Sequence, residues 1–179
     1  LAPGESSGRL AEGDTTYLCV VDSEGNAVSL IQSIFLPFGC GEVAGNTGLF
    51  LQNRMSAFSL DPGHVNRLEP HKRTAHTLNP AMVFRGDRPL LVLGTMGGDG
   101  QTQTLLQLLT AILDYGHTPR EAVELPRWRS DPDGRLLIER RFPAATRARL
   151  RSLGHELRAV GDWSQDMGHA HLIQIREDG

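Results

Sequence analysis

The composition of the chain changes abruptly between Asp14 and Thr15. Before that point, LAPGESSGRLAEGD is Gly, Ser, Glu and Pro with few apolar side chains, too little buriable surface to order itself. After it, Thr15 to Asp22 (TTYLCVVD) is β-branched and aromatic, and Ser23-Glu24-Gly25-Asn26 supplies turn chemistry. Ala27 to Ile34 (AVSLIQSI) then returns as a second apolar run. The expectation is a mobile linker over 1–14 followed by a β-hairpin. Both runs are more continuously apolar than alternating, which predicts strands covered on both faces inside a layered sandwich.

Residues 35–79 are rich in Gly, Pro, Asn and His, and so long an irregular stretch reads as a binding surface rather than a connector. Strands are predicted at Ala81 to Arg85 and Leu90 to Gly94. Gly97-Gly98-Asp99-Gly100 leads into a helix from Gln101 to Leu113, with Leu105, Leu108, Leu109, Ile112 and Leu113 at helical spacing. Gly116 ends that helix, and Thr118-Pro119-Arg120-Glu121 restarts one with an N-cap, Pro at N1 and Glu at N3. Strands at Leu136 to Arg140, Glu156 to Val160 and His171 to Arg176, and a helix at Ala144 to Leu153, complete an α+β pattern over one domain, 15–179.

With 179 residues, 39% hydrophobic and 22% charged, the chain can bury a core of its own. Eighteen basic against 21 acidic side chains leave no positive excess for a phosphate backbone, so nucleic acid is not an expected partner. No apolar run reaches the roughly 18 residues needed to cross a bilayer. Cys19 and Cys40 are expected to be free and mostly buried thiols, with a single disulfide as the alternative. Seven histidines include His169-Ala170-His171, but no matched carboxylate or cysteine cluster accompanies them, so no metal is expected. The chain opens with Leu1 rather than Met, as a processed product or an excised part of a longer protein does.

Three features can carry chemistry. A threonine hydroxyl becomes a usable nucleophile when its own α-amine is free to take the proton, which singles out the Asp14-Thr15 boundary. An α-amine with an ordinary pKa of about 7.7–8.0 suits that work near neutral pH. From local sequence alone, however, the more frequent meaning of Thr15-Thr16 is the start of a strand. Gly94-Thr95-Met96-Gly97-Gly98-Asp99-Gly100, between a strand and a helix, can turn backbone N–H groups into a concavity, or can be no more than a tight turn. His71-Lys72-Arg73-Thr74-Ala75-His76-Thr77 is basic and hydroxylic, able to hold a carboxylate or simply to face solvent.

Taken in order, Thr15-Thr16, Gly25-Asn26-Ala27-Val28-Ser29, Phe38-Gly39, Thr47-Gly48, Asn53, Met55, Phe58-Ser59, Pro62-Gly63, Asn66, Lys72-Arg73, Pro80, Gly97-Gly98 and Pro126-Arg127 resemble the small subunit of γ-glutamyltranspeptidases. The resemblance covers residues 14 to 179 and implies an N-terminal-nucleophile (Ntn) hydrolase, an αββα sandwich whose precursor cuts itself into a large and a small subunit. It implies that Thr15 is the nucleophile, that Asp14-Thr15 is the scissile bond, and that Ser33 supplies the hydroxyl beside the nucleophile. It further implies that the N–H groups of Gly97 and Gly98 form the oxyanion hole.

Phe35 stands where γ-glutamyl-binding members carry Asn, Arg54 and Ala57 where they carry Gln and Asp, and His76-Thr77 where they carry paired serines. An α-ammonium facing Arg54 is repelled, so a carboxylate-bearing acyl group without an amine, such as glutaryl or oxamate-type amides, is expected instead. The stretch after Gly97 looks like the cephalosporin-acylase-like branch. The expected protein is therefore an amide hydrolase working through an acyl-enzyme on a small-molecule amide. The alternatives are a true transpeptidase or glutathione hydrolase, and a non-catalytic scaffold relative. The resemblance implies no cofactor, a heterodimer with the large subunit, and pairing of such heterodimers. An uncut chain without that partner is expected to be inactive.

Overall fold

The computed structural model describes residues 15–176; the expected linker over 1–14, and with it Asp14, lies outside the described residues. The described residues fall into two compact units, one of Thr15 with Ser33–His76 and one of Thr16–Gln32 with residues 77–176.

The larger unit contains most of the hairpin β1 (Thr15–Val21) and β2 (Ala27–Ser33), which pair as a two-stranded sheet. Asp22 closes the turn between them, its carboxylate accepting from the N–H groups of Glu24 and Asn26 and from Asn26 Nδ2. Those bonds, the Asn26 side chain foremost, hold the Asp22 carboxyl below its usual pKa. Strands β3 (Ala81–Arg85), β4 (Arg88–Thr95) and a C-terminal β8 (Ala170–Gln174) form an antiparallel sheet with β4 in the centre. Leu91, Val92 and Leu93 are wholly buried, the continuous apolar run of a strand covered on both faces. Against this sheet packs α1 (Gln101–Leu109), whose Leu105 and Leu108 join Leu91, Leu93, Ala111, Ile112 and Ala122 in one core. A second sheet orders β5 (Trp128–Ser130), β6 (Leu136–Glu139) and β7 (Leu157–Val160), antiparallel then parallel. Helix α2 (Pro119–Glu124) has the expected reciprocal capping box between Thr118 and Glu121, and α3 (Ala144–Ser152) precedes β7.

Several expectations need correcting. The helix predicted to run to Leu113 is α-helical only to Leu109 and then widens into a π turn over Thr110–Asp114, closed by Tyr115 N–H on the Thr110 carbonyl. The wider turn carries Ala111 and Ile112 inward and leaves Leu113, assigned by spacing to the buried face, 49% exposed. Cys19 is half-buried and Cys40 exposed, so the thiols are free as expected but not mostly buried. The hairpin is not covered on both faces within the described residues: Leu18, Val20, Val28 and Leu30 form an apolar face that is roughly half exposed.

The smaller unit has little regular structure, and its order comes from side chains that stand in for strand partners. Asn53 accepts from Leu36 N–H through Oδ1, and Asn66 donates Nδ2 to the Ala57 carbonyl and the Thr74 hydroxyl. Gly39, at φ 58°, lies so close to the Leu51 carbonyl that any Cβ would overlap it. A single turn of 3₁₀ helix, Arg54–Ala57, and an edge-on Phe38–Phe50 pair complete it.

The second sheet of the larger unit ends on a buried ionic node. Glu139, 1% exposed, accepts from Arg127 N–H, Ser164 N–H and the Arg141 guanidinium, and Arg141 stacks 3.5 Å over Trp163. Removing one partner of such a pair leaves the other charge buried without compensation. Glu139→Ala is therefore expected to cost about 3–5 kcal/mol in chemical denaturation, and Glu139→Gln, which keeps an acceptor, distinctly less.

Candidate active site

Thr15 opens β1 and Ser33 closes β2, so the pairing of the hairpin brings the two hydroxyls to its open end. Thr15 Oγ1 lies 2.9 Å from Ser33 Oγ. Two further groups converge on the same serine oxygen. The Phe35 N–H donates to it at 3.0 Å, and Arg54 Nη2 donates at 3.0 Å. The Thr15 hydroxyl donates to Ser33 Oγ, so the threonine, the amide and the guanidinium all direct their protons at one serine oxygen.

The geometry around Ser33 is built by its neighbours. Phe35 adopts φ 77°, a left-handed conformation that an aromatic residue rarely takes, and this turns its N–H back onto Ser33. The Arg54 guanidinium lies 4.7 Å from the Phe35 ring centroid, stacked as a cation over the aromatic face. Arg54 is 9% exposed, and its burial pushes the guanidinium pKa down from the ordinary value, although an arginine side chain stays charged. Its backbone N–H is held by Gln52 Oε1 at the start of the 3₁₀ turn. Thr15, Ser33, Phe35 and Arg54 are thus brought together. Of the other expected binding residues, His76 is exposed at the end of the smaller unit and Thr77 is half-buried at the start of the larger one.

The glycine turn belongs to the larger unit. Gly97 and Gly98 adopt φ 128° and 54°, and the turn closes with Gly100 N–H on the Gly97 carbonyl at 3.0 Å. Two successive positive φ values turn adjacent amides in a way that residues with side chains rarely allow. Behind this turn lies Gly168, itself at φ 74°, where a Cβ would overlap Thr95 Oγ1 and the Met96 carbonyl. Arg127 holds that layer in place: Nη1 donates to the carbonyls of Met167 and Gly168 at 3.1 and 2.9 Å, and Nη2 to Val123 at 2.8 Å. Wholly buried Gln101 accepts from Asn79 N–H through Oε1, tying the segment after Thr77 to the first residue of α1.

Sequence reasoning did not assign Arg127, Gly168 or Gln101 a role. The only signal available for Arg127 was its position in Pro126-Arg127, and Gln101 merely follows the glycine turn. Among the described residues no three His, Cys, Asp or Glu side chains cluster to hold a metal ion, and no helix is long and apolar enough to cross a membrane.

The sequence model of the Gamma-glutamyltranspeptidase family matches residues 3–179. The chain is 47% identical to the Glutathione hydrolase-like YwrD proenzyme of Bacillus subtilis, over 99% of the chain and 34% of that protein. It is 45% identical to the Oxamate amidohydrolase proenzyme of Klebsiella pneumoniae, over 93% of the chain and 33% of that protein. The chain therefore spans about a third of the length of the curated relatives it matches. Among solved structures, the cephalosporin acylase from Bacillus halodurans superposes with a TM-score of 0.85 at 36% identity, over 90% of this chain and 30% of that one.

The convergence on Ser33 has a measurable consequence. Ser33→Ala leaves the Phe35 amide and the Arg54 guanidinium without their acceptor, an expected loss of about 1–3 kcal/mol in denaturant unfolding. Ser33→Thr, which restores the oxygen, is expected to recover most of it.

Proposed function

The chain belongs to the γ-glutamyltranspeptidase family of Ntn hydrolases, and from that premise we propose that it is the catalytic small-subunit part of a self-processing amide hydrolase with Thr15 as nucleophile. The observation that carries this reading is the Thr15–Ser33 hydrogen bond at the end of the hairpin, with Arg54 and Phe35 donating to the same serine oxygen.

In this reading the Asp14-Thr15 bond is hydrolysed first, which frees the α-amine of Thr15. The amine takes the proton of the Thr15 hydroxyl, and Oγ1 attacks the carbonyl carbon of a bound amide. Ser33 Oγ, which accepts from the Thr15 hydroxyl at 2.9 Å, holds Oγ1 in position for the attack. Gly97 and Gly98, with backbone angles suited to adjacent donors, are assigned to the oxyanion by their positions in the family. The C–N bond breaks, the amine leaves with the transferred proton, and an ester on Thr15 remains. Water then splits that ester, releasing the acid and returning the proton to Thr15. Every step uses groups of the protein and water, and no cofactor enters.

The acyl group is proposed to bear a carboxylate and no amine. Arg54 is a buried cation one hydroxyl away from the nucleophile, which attracts a carboxylate and repels an α-ammonium. Phe35 is the wall against which that guanidinium lies, and His76 and Thr77 are assigned to the same acyl pocket by their family positions. A relative named for oxamate hydrolysis, 45% identical, supports a substrate of this kind. The open apolar face of Leu18, Val20, Val28 and Leu30 is proposed to be covered by the large subunit of the same precursor, the partner in a heterodimer. A pair of such heterodimers follows from the family alone.

Intact-mass analysis of the full-length precursor tests this reading. The wild type is expected to give two fragments cut before Thr15, held together under native conditions and separated on denaturation. Thr15→Ala is expected to stay uncut and to lose amide hydrolysis by at least about 10³-fold. An uncut wild type, or a Thr15→Ala protein that retains activity, contradicts it.

A further inference from the structure

The groups that meet at Ser33 Oγ are themselves placed by one residue of the smaller unit, Asn53, which the mechanism above does not use. The Phe35 N–H reaches back to the serine because the backbone turns at Phe35 with φ 77°. An aromatic residue rarely takes that conformation unless its neighbours hold it there. Asn53 pins the chain on both sides of the turn. Its N–H donates to the Ile34 carbonyl at 3.2 Å, and its Oδ1 accepts from the Leu36 N–H at 3.1 Å. The residue before Phe35 and the residue after it are thus tied to one anchor, which lies 17 residues beyond Leu36.

Asn53 is joined to the guanidinium donor as well. It is the N-cap of the 3₁₀ turn that begins with Arg54, and Arg54 Nη2 donates to the same serine oxygen at 3.0 Å. An asparagine at an N-cap ordinarily turns its side-chain oxygen onto the N–H groups of its own helix. Among the described residues Asn53 makes no such capping bond, and the oxygen goes to Leu36 instead. The 3₁₀ turn is held through the Asn53 carbonyl, which accepts from Ser56 N–H at 3.1 Å and from Ser56 Oγ at 2.9 Å. The side chain therefore serves the geometry of residues 34–36 rather than the turn that it opens.

We propose that Asn53 is a positioning residue for the nucleophile. It fixes the Phe35 N–H and the start of the Arg54 turn, and through them the serine oxygen that accepts from the Thr15 hydroxyl at 2.9 Å. The proposal rests on Thr15 being the nucleophile. Asn53 acts through these neighbours, not on the substrate. A misplacement of about 1 Å at a reacting atom can cost on the order of 10²-fold in rate, so losing this clamp should be felt in catalysis more than in folding. Asn66 supplies the matched control within the same unit. It donates Nδ2 to the Ala57 carbonyl and the Thr74 hydroxyl and accepts from Ala75 N–H at 3.0 Å, a staple of the same kind that bonds none of residues 33–36.

The experiment compares the full-length precursor with its Asn53→Ala, Asn53→Asp and Asn66→Ala variants. The cut before Thr15 is followed by intact mass in a timed expression chase, hydrolysis of glutaryl p-nitroanilide is measured on the processed proteins, and denaturant unfolding is read on each. Asn53→Ala is expected to slow the cut and to lower kcat at least about tenfold, with KM within about threefold of the wild type. Asn53→Asp, which keeps an oxygen for the Leu36 N–H, is expected to recover most of both rates. Asn66→Ala is expected to lose comparable stability and yet keep the cut and kcat within about twofold of the wild type. Asn53→Ser, whose shorter side chain stops short of Leu36, takes the place of Asn53→Ala if that variant does not fold. If the wild type is cut but leaves the anilide intact, the rate of the cut alone decides. Wild-type rates in Asn53→Ala, or an equal loss in Asn66→Ala, overturn the proposal while leaving Thr15 as the nucleophile. A wild type that is never cut overturns the reading beneath it and the proposal with it.

Discussion

A single hydroxyl oxygen organises the candidate site. Ser33 Oγ receives the hydroxyl proton of Thr15, an amide N–H from Phe35 and a guanidinium N–H from Arg54. This arrangement depends on the hairpin, because Thr15 and Ser33 come together only as the first residue of β1 and the last of β2. It depends equally on the unusual backbone of Phe35, whose positive φ aims the amide. Strain of order 1–3 kcal/mol at such a residue is held by the structure around it, here the stack with Arg54 and the bond from Leu36 N–H to Asn53.

The glycine turn solves a different problem with the same economy of side chains. Gly97 and Gly98 are free to adopt their backbone angles, but freedom alone does not hold a loop in one conformation. Arg127 does so from behind, by tying down the carbonyls of Met167 and Gly168. Glu139 in turn accepts from the Arg127 backbone, so the turn, the Met167-Gly168 layer and the buried ion pair form one connected support. In the proposed mechanism, donors preorganised in this way need no rearrangement when charge develops.

The legible parts of the sequence were those written in local chemistry. The change at Thr15 marked the start of β1 because a polar leader and a β-branched strand differ in composition. Most strand and helix positions were recoverable from periodicity and capping, the Thr118–Glu121 box among them. Burial set by distant partners was not legible. Gln101, Arg127 and Glu139 are polar side chains that each have a partner 12 to 41 residues away, and no spacing rule reports such pairs. The π turn at Thr110 escaped because a widened turn has no sequence signature beyond a shift in which residues face inward. The apolar content of the hairpin was read correctly, but the described residues cover only part of it. The roles proposed for Ser33, Arg54 and the glycines come from the family resemblance and not from composition.

The central claim is that Thr15 Oγ1 forms a covalent ester with the acyl group. The most direct measurement is peptide mass mapping of the processed full-length enzyme, quenched in acid during turnover of malonyl p-nitroanilide. The account predicts an acyl adduct on the peptide that begins at Thr15, sensitive to hydroxylamine as an ester is, and absent from Thr15→Ala. An adduct on Ser33 or Cys19 instead, or rapid turnover with no adduct on the Thr15 peptide, would contradict it.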